Sequence, residues 1–192
     1  MRAINEIMRN EVEAFGMTTY THLQVATAFD LLSSTFKIDE LVTEAKKAGF
    51  QSLAMTNHNQ LYGAMRFQQA CKENGIKAIY GMTIDVESTL GESDSYPVIV
   101  LAKNTEGYHE LMKLTSALQT EERAFLPKNW FDAYSKNIVI ILPVENGEIT
   151  NLLPEQRSIL LESYPNAYLG VSQPDSNITA WAFNETERTV VI

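Results

Sequence analysis

The chain has 192 residues, 45% of them hydrophobic and 20% charged, a balance that suits one folded domain with a full core and excludes disorder as the starting assumption. Its 24 acidic and 15 basic residues give a formal net charge of -9 and a pI near 4.8, which argues against a surface that grips DNA phosphates on its own. A single cysteine, Cys71, excludes an internal disulfide and a cysteine-rich zinc site.

Ile4, Ile7, Met8, Val12 and Phe15 recur at helical spacing and are followed by Gly16, so residues 1–16 read as a short amphipathic helix, an extension ahead of a domain over 17–192. This start carries acidic residues and no long apolar stretch, so it does not read as a secretory signal. No apolar run reaches the ~18 residues of a membrane span, and the expected location is the cytoplasm. Residues 20–25 read as a strand. Residues 37–48 read as a helix with Ile38, Leu41, Val42 and Ala45 on one face and Gly49 as its stop. Strand 51–56, helix 61–74 ended by Gly75, and strand 76–87 follow; Cys71 falls in that helix as a small buried apolar residue. Residues 88–96 (STLGESDSY) form a polar turn, and 97–102 a strand buried on both faces. Asn104 or Thr105 caps a helix with Tyr108, Leu111, Met112, Thr115 and Leu118 on one side. The remainder reads as a short helix over 127–135, strand 137–142, helix 155–163, strand 167–171 and helix 178–187. A last strand starts at Thr189 and is unfinished at Ile192, as expected of a piece of something longer.

This alternation predicts an α/β fold, mostly parallel strands flanked by helices. In such folds function collects past the C-terminal strand ends. Polar clusters follow the first strand at residues 22–27 and the second at residues 56–59, and Gly81-Met82-Thr83 lies within the third; if these strands are neighbours, the three clusters converge on one rim. A hydrolytic metal centre on this rim needs imidazoles and carboxylates together. His22 and His58 are at hand, but the candidate carboxylates Asp30 and Asp85 read as lying away from strand ends. Two imidazoles alone make a weak site for a hard cation, and each reads first as a hydrogen-bonded structural residue. His109 falls in a helix and reads as surface. No phosphate-binding glycine loop and no G-x-S-x-G elbow is present.

The run from THLQVATAFDLLSS through KIDELV and AMTNHNQLYG to ACKENGIKAIYGMTI, with YPVIVLAKNTEGYHELMKLTSA further on, resembles the PHP domain at the amino terminus of the bacterial DNA polymerase III alpha subunit. The likeness is close over residues 19–120 and looser beyond. It implies a distorted (β/α)7 barrel, covered only in part. It also implies a longer chain that is a DNA-directed DNA polymerase, a nucleotidyltransferase of DNA replication using Mg2+. Active PHP domains carry several Zn2+-like or Mn2+-like ions on the rim and hydrolyse phosphoesters, in some polymerases as a 3′–5′ proofreading exonuclease.

Carried over by position, the family's ligands are missing. Its H-x-H pair falls on Gln24 and Ala26, its aspartates on Ser33 and Asn57, and its glutamate on Thr83; His58 is kept, and His22 precedes the pair without binding metal. Neutral amides and hydroxyls do not offset the charge of several dications. The resemblance therefore implies a degenerate site with no metal and no catalytic residue, in which Gln24 and Asn57 bond to one another as a plug. The expected role is structural, with the polymerase core and other replisome subunits as partners and no strong DNA binding by this acidic fragment. The alternatives are a live PHP phosphoesterase with altered ligands and an unrelated α/β module that binds a small anion.

Overall fold

The computed structural model describes residues 21–30, 34–91, 93–120, 123–172, 178, 181–182 and 188–192. The predicted helix over 1–16, Ser33 and most of the helix over 178–187 lie outside them.

Six strands form one curled sheet in chain order: β1 (Ser52–Met55), β2 (Lys77–Glu87), β3 (Ser95–Ala102), β4 (Ile138–Pro143), β5 (Tyr168–Val171) and β6 (Thr189–Val191). The helices are α1 (Ile38–Lys47), α2 (Ala64–Asn74), α3 (Thr105–Thr120), α4 (Lys128–Ala133) and α5 (Pro154–Ser163). Three of the five strand pairings are parallel, and β3 is antiparallel to both neighbours. The polar turn after Glu87 explains the reversal at β2–β3, because it is too short for the crossover a parallel pair needs. Among the described residues no helix is long and apolar enough to cross a membrane.

Alternation along the strands decides which face takes the helices. Ala78, Tyr80, Met82, Ile84 and Val86 of β2 all pack toward helices. The first two join a core with α1 and α2, around the fully buried Phe67. The others join a larger core with α3, α4 and α5. Ile79 points the other way, onto a face that carries no helix among the described residues, with Ala54, Ile99, Leu101, Ile141 and Ile192. On α3 the core stripe is Gly107, Leu111, Leu114 and Leu118, whereas Met112, expected inside, is exposed. Leu114 lies three residues from Leu111 and four from Leu118, so it completes the stripe without any rotation of the helix.

Residues 21–25 of the predicted first strand form an irregular segment without regular pairing. Its carbonyls do reach β1 and its exit: Ala54 N–H donates to His22 O at 3.0 Å and Thr56 N–H to Val25 O at 2.9 Å. The Val25 N–H, however, donates to the Thr56 hydroxyl at 2.8 Å. A side chain has taken the place of a ladder carbonyl, and the strand goes no further.

A carboxylate fixes the β2–β3 turn. Glu148, in the 3-10 turn Glu148–Asn151, accepts from the N–H groups of Thr89 at 2.7 Å and Gly91 at 2.9 Å, from that of Leu90, and from the Ser88 hydroxyl at 2.8 Å. Charge-assisted bonds of this kind are stronger than neutral ones. Glu148→Ala should therefore lower unfolding stability by roughly 2 kcal/mol, read from urea denaturation. A change below about 0.5 kcal/mol would show that the clamp is idle.

Candidate functional site

The rim forms where the chain leaves β1. Residues 56–59 continue beside β2, with Thr83 N–H donating to Asn57 O at 3.2 Å and Asn59 N–H to Thr83 O at 2.7 Å. Asn59 turns the chain in the left-handed region, at φ 55, a conformation that asparagine tolerates better than most residues. Its side chain locks the turn to β2: Oδ1 accepts from Asp85 N–H at 3.1 Å and Nδ2 donates to Asp85 Oδ2 at 3.3 Å.

Asn57 is fully buried, and its amide is spent on the protein. Oδ1 accepts from the Thr27 N–H at 2.8 Å and the Thr27 hydroxyl at 3.1 Å, while Nδ2 donates to Tyr62 O at 3.1 Å. Thr83 donates its hydroxyl to Thr56 O at 3.3 Å. The segment bearing Thr27 is also seated by Gly63, at φ 85, where a Cβ would lie 2.7 Å from the Phe29 ring.

The sequence-derived positions divide into two groups. Asn57, His58 and Thr83 meet on the rim, as strand order implied. Gln24 is exposed and Ala26 partly so. The expected bond between Gln24 and Asn57 is not made: Gln24 is exposed while Asn57 is fully buried, and Asn57 pairs with Thr27 and Tyr62 instead. His22 lies alongside β1 rather than beyond its end, its ring 5.4 Å from that of Phe50. Burial pushes its pKa down to about 4.

Two carboxylates placed away from the rim by sequence reasoning belong to it. Asp85 Oδ2 lies 2.8 Å from His58 Nε2, and Asp30 Oδ2 accepts from the His58 N–H at 3.1 Å. The signal for Asp85 was available, since it stands two residues past Thr83 and strand side chains alternate. Asp30 sits on an irregular segment, where periodicity gives no guidance. The hydrogen bond to Asp85 raises the His58 pKa, burial opposes the rise, and the charges of Asp85 and Asp30 add to it. Even so, among the described residues no three His, Cys, Asp or Glu side chains are grouped so as to hold a metal ion.

Removing the Asn57 amide strands a buried N–H and a buried carbonyl, so Asn57→Ala should cost about 3 kcal/mol in urea denaturation; a cost under about 1 kcal/mol would mean that water replaces it freely. The two histidines should give opposite pH dependences. His22 folds neutral, with its pKa lowered from 6.5 to about 4, so its contribution is intact above pH 6.5 and shrinks as pH falls toward 4, by up to about 3 kcal/mol. His58 has a raised pKa, so its contribution is present below pH 6.5 and fades as pH rises through the folded value. Denaturation midpoints across this range should lose the acid-side decline in His22→Phe and the alkaline-side decline in His58→Gln. Unchanged profiles in both variants would contradict the assignment.

Comparison with known proteins fits this geometry. A profile of the PHP domain matches residues 22–173. The DNA polymerase III subunit alpha of Bacillus subtilis is 40% identical over 135 residues, which are 70% of this chain and 12% of that protein. The same subunit of Treponema pallidum is 31% identical over 161 residues, 78% of this chain and 14% of that protein. The chain thus spans a small part of the relatives it matches. A crystallised protein of Bifidobacterium adolescentis, assigned as a metal-dependent phosphoesterase, shares the fold with a TM-score of 0.59 at 12% identity, over 91% of this chain and 86% of that one. With a sheet of matching architecture, a rim at the expected strand ends and a family profile over most of its length, the chain belongs to the PHP domain family.

Proposed function

We propose that this PHP domain is a non-catalytic structural and interaction module of a bacterial DNA polymerase III alpha subunit, working in the cytoplasm. In this reading the Mg2+-dependent nucleotidyl transfer belongs to the rest of that longer protein. The domain packs against the polymerase core and offers a face to other replisome subunits.

The observation that carries the reading is the buried amide of Asn57. A metal ligand needs a free lone pair and, for a dication cluster, negative charge. Asn57 Oδ1 already takes two hydrogen bonds, and its nitrogen has no lone pair to give. Gln24 and Thr83 add neutral atoms at best, and Ala26 adds none. The carboxylates that remain, Asp30 and Asp85, are engaged by the His58 N–H and by His58 and Asn59. This donor set does not suit a Zn2+ or Mn2+ cluster, so no hydrolytic step is assigned to the domain.

Metal analysis of the chain after exposure to Zn2+ or Mn2+, together with hydrolysis of a simple phosphodiester, tests the proposal. The expected result is substoichiometric metal and no rate above background. Tight binding of several ions per chain with metal-dependent hydrolysis would overturn it. A variant with Gln24→His, Ala26→His, Ser33→Asp, Asn57→Asp and Thr83→Glu should gain metal where the parent does not.

A further inference from the structure

A cleft of about 610 Å3 opens at the end of the sheet opposite the rim, and it follows from how β2 is paired. Residues 77–80 of β2 pair with β1 alone, and β3 joins only from Gly81 onward. At that same end, opposite Gly81, β3 runs out at Ala102, and the chain turns through Lys103 into α3. The sheet is therefore split here, and the slot between β2, α2 and the start of α3 is the cleft.

Its lining has two characters. Ile79 and Leu101 are apolar, and Tyr80 and Tyr108 stand edge to face with ring centroids 5.5 Å apart. Lys77 and Lys103 supply two positive charges, and among the described residues no aspartate or glutamate lines the cleft, in a chain with 24 acidic residues. Both lysines are exposed, and neither forms an ion pair among the described residues. The volume lies within the range of small-molecule sites, which combine an apolar wall with a few polar groups that fix orientation.

We propose that this cleft binds a small aromatic anion, a flat ring bearing a phosphate group, with the ring against the tyrosine–leucine wall and the phosphate at Lys77 and Lys103. Two ammonium groups without a competing carboxylate match the near-dianionic charge of a phosphate monoester better than a single carboxylate. Aromatic side chains favour a flat partner through stacked and edge-on contacts. The site is distinct from the rim and does not depend on whether the rim is inert.

Calorimetric titration of the 192-residue chain with adenosine 5′-monophosphate at low salt tests the assignment, with adenosine and inorganic phosphate as separate titrants. The nucleotide should bind in the submillimolar range, and each half alone should bind at least about tenfold more weakly. The double variant Lys77→Gln/Lys103→Gln, on exposed positions where the fold is expected to survive, should weaken nucleotide binding about tenfold or more and remove most of its salt dependence. Should that variant misfold, the salt dependence of the parent chain carries the same information. No heat at millimolar nucleotide, phosphate binding as tightly as the nucleotide, or a folded double variant that binds like the parent would each overturn the proposal.

Discussion

The side-chain amide of Asn57 ties together three segments: the irregular stretch bearing Thr27, the exit of β1, and the turn at Tyr62 that leads into α2. It works because an amide is both donor and acceptor. A carboxylate would satisfy Thr27 but would face the Tyr62 carbonyl with no proton to give. A buried polar group is costly unless its partners are all present, so this junction fixes the rim in one arrangement once it forms. Around it Asn59 holds Asp85, Asp85 holds His58, and the His58 N–H holds Asp30. The polar atoms of this rim are thus turned toward each other.

The long strand β2 organises both ends of the molecule. Its first half pairs with β1 and its second half with β3. Where β1 has ended, residues 56–59 run on beside β2 and make the rim. Where β3 has not yet joined, the sheet is open and leaves the cleft lined by Lys77 and Lys103. Two features of opposite charge character, one holding two carboxylates and one holding two ammonium groups, thus arise from the same uneven pairing.

Much of this was legible in the sequence. Every strand from β1 to β6 and every described helix lies where periodicity and glycine stops place it, because these segments bury one regular face each. The misses have local causes. The stretch before β1 alternates like a strand but gives its Val25 N–H to the Thr56 hydroxyl, and no pattern of hydropathy records that choice. Met112 and Leu114 of α3 are both apolar, and which one turns inward depends on the sheet beneath. Strand order and family resemblance together point to Asn57, His58 and Thr83, which the structure brings side by side. Asp85 shares a strand face with Thr83, which alternation alone indicates, whereas Asp30 reaches the site through an irregular backbone that sequence alone does not trace.

In the proposed reading, hydrogen bonds among the rim's own side chains and backbone, rather than bound cations, hold it in place. Thermal unfolding of the chain, followed in a strong chelator and then in excess Mn2+ or Zn2+, tests it most directly, since a ligand specific to the folded state must raise the midpoint. The same midpoint is expected in all three conditions. A rise of several degrees on adding metal, reversed by the chelator, would contradict it.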